Sequence, residues 1–183
     1  MAYTQDRRLI TIDSPLGKDE LLLLRFSGTE GMSRLFEFQL EMVSENHSIQ
    51  FKDIIGQGVT VTIKLYDEEE RFFHGIVSRF SQKSGDRETG PETPDFSFYT
   101  ATIVPNFWLL TRTADSRIFQ KKSVPDIIEQ IFGEQGIADY ALKLSGTYEE
   151  KEYCVQYHET DFNFVSRLME QEGIHYFFKH EKD

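Results

Sequence analysis

Cysteine is nearly absent from this sequence, with Cys154 alone among 183 residues. One cysteine cannot form an internal disulfide or a cysteine-rich zinc site. This composition is consistent with folding in a reducing compartment such as the cytoplasm. We interpret Cys154 as a small buried apolar residue. The alternative is a nucleophile that is assisted by His158, four residues further on.

Basic residues are also few. The chain has 20 Lys and Arg against 31 Asp and Glu, which gives a net charge of −11, and the acidity is spread over both halves. A nucleic-acid binder needs a cationic surface that releases counterions from phosphates. We therefore expect no nucleic acid as a partner. An acidic surface is better suited to a partner protein with a basic patch.

Long apolar runs are absent as well. The leucine run at residues 21–24 has four members, whereas a membrane-spanning helix needs about 20 apolar residues. The first residues of the chain lack the apolar core of a secretory signal peptide. We expect no membrane-spanning segment, and synthesis in the cytoplasm without a signal peptide.

Aromatic residues, in contrast, are abundant, with 16 Phe, 8 Tyr and 1 Trp. Such a chain can bury enough apolar surface to fold. Apolar and polar residues alternate over residues 36–42 and 59–65, the period of a half-buried strand. The acidic run Asp67–Glu70 then predicts the exposed tip of a hairpin whose second strand is residues 71–80.

Further strands are expected over residues 7–13, 21–27 and 96–104. Five to seven short strands joined by turns predict an antiparallel β-barrel or sandwich. The polar stretch Ser84–Pro94 is interpreted as a long exposed loop, either a disordered tip or an adaptor contact.

After Pro105 the pattern changes to that of a small α+β segment. Ser123 followed by Pro125 and Asp126 predicts the start of a helix, which Gly133 or Gly136 would end. The predicted buried stripe of this helix contains Val124, Ile127, Ile128, Ile131 and Phe132.

A second helix is predicted to start at Thr160 or Asp161 and to end at Gly173. Alternating residues predict a strand at 153–157 and a final strand at 174–178. The buried face of the second helix is assigned to Phe162, Val165, Leu168 and Met169.

No catalytic signature is present. The sequence has no nucleophile elbow, no phosphate-binding glycine loop and no zinc-binding His-Glu-x-x-His helix. The cluster His158–Asp161 is either a partial metal site or, as we interpret it, the end of a strand that runs into a helix cap. His175 and His180 would point to opposite faces of a strand, and His74 is expected to be buried and hydrogen-bonded. We predict no catalytic residue, no cofactor and no metal.

Two stretches, residues 115–128 and 152–178, strongly resemble the N-terminal region of the Vgr (valine-glycine repeat) spike proteins of type VI secretion, also called Rhs-element Vgr proteins. The resemblance runs nearly end to end in the order of the family. The matching motif positions, for which a structural role is expected, are Arg117, Ile118, Phe119, Gln120, Ser123, Pro125, Asp126, Tyr153, Gln156, Tyr157, Glu159, Asp161, Phe162, Phe164, Arg167, Leu168, Glu172, Gly173 and Tyr176.

The motif positions also have expected contacts. Arg167 is expected to pair with Glu170 or to bridge to a neighbouring segment. Gln156 and Asn163 are expected to satisfy buried backbone groups at the junction of strand and helix.

The resemblance implies a structural part of a secretion machine. Such proteins look like the baseplate hub of contractile phage tails: three chains form a ring and dock on a hexameric tube protein, and effector or adaptor proteins travel with the spike. By this resemblance residues 1–112 are the first antiparallel barrel and residues 113–183 begin an inserted α+β segment. The second barrel and the needle of the family lie outside this sequence, so we expect a fragment of a longer protein.

The expected setting is a Gram-negative bacterium that exports the protein as part of its secretion apparatus. Two alternatives remain open at this point: a baseplate hub of a contractile phage tail and, further off, a cell-wall hydrolase.

Overall fold

The structure is a computed structural model that describes residues 3–66, 69–83 and 95–182. The chain divides into two compact units. We call the first the sheet unit; it comprises Met1–Glu30, Phe36–Pro105 and Phe178–Asp183. The second, the helical unit, comprises Gly31–Leu35 and Asn106–Phe177.

The strands are β1 (Ile10–Asp13), β2 (Leu22–Thr29), β3 (Glu37–Ser44), β4 (Gly58–Lys64), β5 (Glu70–Lys83), β6 (Ser97–Val104), β7 (Ala114–Phe119) and β8 (Cys154–Thr160). The α-helices are α1 (Val124–Glu134) and α2 (Asp161–Gln171), and 3₁₀ turns lie at Phe51–Asp53 and Asn106–Thr111. Among the described residues, no helix is long and apolar enough to span a membrane.

The sheet unit is one antiparallel sheet of six strands in the order β1-β4-β5-β6-β3-β2. The sheet curves into a half-barrel. A hydrogen bond links the segment before β1 to β2, the other outermost strand: Arg8 Nη1 donates to the carbonyl of Leu23 at 2.9 Å. The predicted fold class is confirmed as α+β, with an antiparallel sheet followed by a small segment that has two short helices. Of the predicted barrel, the described residues form a half-barrel.

Strand β3 follows its sequence pattern closely. Phe38, Leu40 and Met42 are buried, whereas Glu37 and Glu41 are exposed. This is the inward-apolar, outward-polar alternation of a sheet with one solvated face. The predicted hairpin of β4 and β5 is also present, paired from Gly58↔Ile76 to Lys64↔Glu70. Part of its predicted acidic tip and the predicted loop Ser84–Pro94 lie outside the described residues.

The aromatic residues fill the concave side of the sheet. Phe26, Phe36, Phe38 and Phe73 form one cluster with ring centroids 4.8–5.3 Å apart. Phe178 extends this cluster with an edge-on contact to Phe36 at 5.2 Å. Aromatic side chains are large enough for a few of them to build a core from short strands.

Both helices begin and end where the sequence indicates. Each ends two residues before a glycine with positive φ, Gly136 and Gly173, both at 69°. A left-handed residue at this position closes the last turn, and glycine adopts it without steric cost. Gly133, the other candidate for the end of α1, lies inside the helix.

Two expectations for the helical unit are wrong. Phe162 is only partly buried and packs on Phe107 at 5.4 Å, whereas Phe164 is fully buried against Phe119 at 5.5 Å. The other three predicted residues, Val165, Leu168 and Met169, are buried, so the error is confined to Phe162. At the start of the helix Asp161, not an apolar side chain, takes the inward position.

The predicted final strand is the second error. Residues 174–178 alternate between half-buried and exposed, yet the described structure pairs them in no ladder. Tyr176 instead exchanges hydrogen bonds with Ser33, whose backbone N–H donates to the Tyr176 carbonyl at 2.8 Å. Alternation of apolar and polar residues indicates which side of an extended segment is covered, but it does not specify a partner strand.

The close contact at Gly28 generates a stability prediction. A Cβ at this position would lie 2.3 Å from the Glu37 carbonyl oxygen on β3, whereas a Cβ at Gly133 would meet nothing within 4 Å. We expect Gly28→Ala to lower the free energy of unfolding by about 1–3 kcal/mol. Gly133→Ala is the matched control and should raise it by about 1 kcal/mol, since alanine favours a helix. Urea denaturation followed by circular dichroism measures both, and equal stability of the two variants would contradict the packing at Gly28.

Candidate functional site

A buried carboxylate lies where β8 runs into α2. Asp161 is 2% exposed and is the first residue of the helix. Its Oδ2 accepts from Thr113 Oγ1 at 2.7 Å and from Gln135 Nε2 at 3.1 Å. Its Oδ1 accepts from Gln156 Nε2 at 2.7 Å. Both oxygens are therefore satisfied, and the positive end of the helix dipole adds to their stabilisation.

Arg117 connects this carboxylate to the rest of the helical unit. Its Nη2 lies 3.4 Å from Asp161 Oδ1, and its Nε donates to Gln156 Oε1 at 2.9 Å. Its Nη1 also forms an ion pair with Glu134 on α1. One side chain of β7 thus links β8, α1 and α2, which is the use that the rigid guanidinium fork favours.

Gln156 is the central member of this group, with 0% exposure. Its amide oxygen accepts from Arg117, and its amide nitrogen donates to Asp161 and to the Glu159 carbonyl at 3.2 Å. The expectation that Gln156 satisfies a buried backbone group agrees with this contact. Asn163, for which the same role was expected, is exposed. We call Thr113, Arg117, Gln135, Gln156 and Asp161 the junction network.

A second ion pair holds α2 against β8. Arg167 Nη2 donates to Glu159 Oε1 at 2.5 Å and to the Val155 carbonyl at 3.3 Å. The hydrogen bond from the Glu159 carboxylate raises the pKa of Arg167 above its ordinary value. Of the two expected partners of Arg167, the bridge to a neighbouring segment is therefore the one found, rather than Glu170 in its own helix.

The helix caps place the remaining polar motif residues. Ser123 caps α1 in a capping box: its side chain accepts from the Asp126 N–H, and Asp126 accepts from the Ser123 N–H at 3.1 Å. Hydrogen bonds from Ser123 lower the pKa of Asp126. Thr160 caps α2 by accepting from the Asn163 N–H at 3.2 Å.

The cluster His158–Asp161 is not arranged as a metal site. His158 is exposed, Glu159 is engaged by Arg167, and Asp161 points inward to the junction network. Within the described ranges, no group of three His, Cys, Asp or Glu side chains converges in a way that could hold a metal ion. The geometry is that of a strand end entering a helix cap, which is the interpretation that the sequence favoured.

His74 and Cys154, the other two candidate residues, also contact neighbouring parts of the fold. His74 Nδ1 lies 2.9 Å from Thr60 Oγ1 on the neighbouring strand. Cys154 is buried at 7% exposure, and burial raises the pKa of its thiol. A raised thiol pKa disfavours the thiolate, which is the nucleophilic form. Cys154 therefore has the environment of a packed core residue.

The motif positions divide between two faces of the β7–β8 sheet. Arg117, Phe119 and Gln156 face inward, whereas Ile118, Tyr153 and Tyr157 are exposed.

Sequence reasoning did not connect Arg117 with Asp161 and did not single out Thr113, Glu134 or Gln135. The available signal was Gln156, a polar residue in the inward phase of an alternating strand, since such a residue needs buried partners. Among the other motif residues, Gln120 is exposed, Pro125 is half-buried and Leu168 is buried. Glu172 forms an ion pair with Lys151 at 2.9 Å, and the Tyr176 ring packs against the Phe107 ring at 5.0 Å.

The half-barrel sheet and the helical unit can be compared with known proteins. The sequence model of the phage tail baseplate hub (GPD) family matches residues 29–183. The chain belongs to this family.

Relatives of nearly half-identical sequence belong to type VI secretion. The chain is 48% identical over 182 residues to the type VI secretion system spike protein VgrG1b of Pseudomonas aeruginosa, with 100% of this chain and 24% of that protein covered. The chain thus spans about a quarter of the length of this relative.

Solved structures share the fold. The Escherichia coli c3393 protein, described as a component of the type VI secretion system with structural similarity to phage T4 tail proteins gp27 and gp5, superposes with a TM-score of 0.76 at 28% identity. The alignment covers 94% of this chain and 45% of that protein. A 43 kDa prophage tail protein of Shewanella oneidensis has a TM-score of 0.59 at 15% identity, over 90% and 50% of the two chains. The second likeness shows a shared fold alone.

The junction network generates a second stability prediction. We expect Asp161→Asn to lower the free energy of unfolding by about 2–4 kcal/mol, because it leaves Arg117 and the amide donors facing a neutral group. Glu170→Gln, an exposed change in the same helix, is the matched control and should stay within about 0.5 kcal/mol of the parent. Guanidinium denaturation measures both changes. An Asp161→Asn protein as stable as the control would show that the network contributes little.

The buried thiol generates a prediction about pH. Because the pKa of Cys154 is raised in the folded state, the folded protein holds its thiol proton at a pH where the unfolded chain loses it. This contribution to stability is present below the ordinary thiol pKa of about 8.5 and is lost as pH rises above it. We expect the unfolding free energy of the parent to fall between pH 8 and 10 relative to that of Cys154→Ala. A parallel pH dependence of the two proteins would contradict the raised pKa.

Proposed function

We propose that this chain is the hub-like base of a type VI secretion spike, which trimerises, docks on a hexameric tube protein and travels with effector or adaptor proteins. The observation that carries the proposal is the similarity to spike protein VgrG1b over the whole chain, at 48% identity. The half-barrel fold supports it, since the best of the superpositions described above is with a type VI secretion component.

The geometry supports a structural role. Where carboxylates, amides and cations meet in the described structure, they satisfy one another and hold helix to strand. A catalytic centre would instead present groups with shifted pKa values in a cleft. The cell-wall hydrolase is therefore the weaker alternative. By the same family resemblance, residues 1–112 are proposed as the first barrel and residues 113–183 as the start of the inserted segment.

The phage tail hub remains the second candidate, and the degree of similarity favours type VI secretion over it. The prophage tail protein shares the fold at 15% identity, a level at which function does not follow from fold. Export with the apparatus, from a Gram-negative cytoplasm and without a signal peptide, is part of the proposal.

Deletion of the gene that encodes the chain tests the proposal in the bacterium that carries it. We expect the tube protein to disappear from the culture medium while its amount inside the cells is unchanged, because the proposed base on which it docks would be missing. The parent gene and a Gly133→Ala control should both restore export, as measured by immunoblot. Unchanged export of the tube protein together with a loss of phage-like particles would support the tail hub instead.

The trimer is tested separately on the protein as the bacterium makes it. Native mass spectrometry should give three copies per complex, and added tube protein should bind to that complex. A stable monomer that binds no tube protein would contradict the hub assignment. Release of soluble fragments from purified peptidoglycan would revive the hydrolase.

A further inference from the structure

The two-stranded sheet of the helical unit has an apolar outer face. Ile118 on β7 lies directly opposite Val155 on β8. Tyr153, just before β8, and Tyr157, within it, are each two residues from Val155. These four side chains are 53%, 39%, 56% and 71% exposed. We call them the outer patch. Two-layer α+β folds usually place polar residues on the solvent face of a sheet, so this arrangement is inverted.

The inner face of the same two strands is buried, which agrees with this pairing of β7 and β8. Phe119 and Cys154 form a register pair, and both are buried. The next pair, Arg117 and Gln156, belongs to the junction network. The apolar residues of the outer patch therefore face solvent because the junction network occupies the inner positions.

The backbone beside the outer patch is strained. His158 is not a glycine, yet it has a φ of 49°. The ladder of β7 and β8 has an irregularity between Asp115 and Arg117, where Ser116 Oγ accepts from the His158 N–H at 3.3 Å. The His158 ring lies edge-on to the Tyr157 ring, with centroids 4.4 Å apart. Bulges and strained residues are frequent where a strand re-aims a side chain for binding.

Charges next to the outer patch are mainly negative. Glu149, Glu150 and Glu152 precede β8 and are exposed, whereas Lys151 between them forms an ion pair with Glu172 at 2.9 Å. The helical unit as a whole has eight basic and twelve acidic side chains, a net charge of −4. Two cations also lie nearby: Lys121, exposed after the end of β7, and Arg167, which donates to the Val155 carbonyl and is ion-paired with Glu159. Because Arg167 is neutralised by Glu159, the three exposed glutamates leave the surroundings negative.

We propose that the outer patch is a docking site for a different protein, which inserts an apolar segment flanked by lysine or arginine. The aromatic and branched side chains would supply the buried centre of the contact, and the glutamates would attract the flanking cations. A two-fold contact between two copies of this chain fits poorly, because it would bring the same three glutamates face to face. The inference concerns a surface of the helical unit and does not depend on the proposed function.

Site-specific photo-crosslinking in cells tests this docking site on the protein as it is made. Tyr157 is replaced by p-benzoylphenylalanine, and Tyr66, a fully exposed tyrosine of the sheet unit, is replaced in a separate control. We expect a discrete cross-linked product at position 157 that position 66 does not give. Mass spectrometry should place the cross-link in a segment of another protein with apolar residues next to lysine or arginine.

Second-site variants in the position-157 background test the chemistry. Ile118→Thr should lower the cross-link yield, since it removes apolar surface while it retains a β-branched residue suited to a strand. Glu152→Lys should lower the yield about two- to fivefold, the range expected for one exposed ion pair. Glu170→Lys, an equal charge change on α2, is the matched control and should leave the yield unchanged. Urea denaturation of each variant separates loss of docking from loss of fold.

Three results would overturn the proposal. The first is a yield at position 157 no higher than at position 66. The second is a cross-link to a second copy of this chain or to another part of the same polypeptide. The third is a partner segment that lacks basic residues, with a yield that Glu152→Lys does not change.

Discussion

The helical unit depends on one buried carboxylate. Asp161 is removed from water at the start of α2, and an isolated carboxylate in such a place would cost several kcal/mol. Hydrogen bonds from Thr113, Gln135 and Gln156, together with the guanidinium of Arg117, offset this cost. Because each partner comes from a different segment, the carboxylate can be satisfied only when strand, helix and connecting segments are all in place.

This requirement also fixes the register of the small sheet. Arg117 and Gln156 are direct partners across β7 and β8, and both must face inward to reach Asp161. A shift by one residue would turn every side chain of a strand to the opposite face. Burial of Ile118 or Val155 would therefore break the network. Because Arg117 and Gln156 must face inward, Ile118 and Val155 face solvent. The hydrogen bonds of the inner face thus fix the register and leave apolar side chains exposed on the outer face.

The sequence predicts the parts whose determinants are local. The cap and the apolar stripe of α1 are encoded within residues 123–132, and all five predicted stripe residues are buried. The alternation of β3 likewise predicts its buried face. The junction network could not be predicted in this way, because Thr113, Gln135 and Asp161 come together only through long-range packing. The same cause explains the error at Phe162: periodicity assigns an inward position to an apolar residue, whereas the structure gives it to a satisfied charge.

The final segment shows the limit of period-two reasoning more directly. Residues 174–180 alternate in burial as a strand would, yet they form no ladder within the described part of the chain. Tyr176 exchanges hydrogen bonds with Ser33, and Tyr176 and Phe178 contact the rings of Phe107 and Phe36. His180 packs on the rings of Phe36 and Phe73, at 4.9 and 5.5 Å, and its Nε2 lies 3.1 Å from Glu30 Oε2. Alternation is produced by any extended segment with one covered side. Hydrogen-bonded pairing needs a partner edge as well, and that information is not contained in the segment itself.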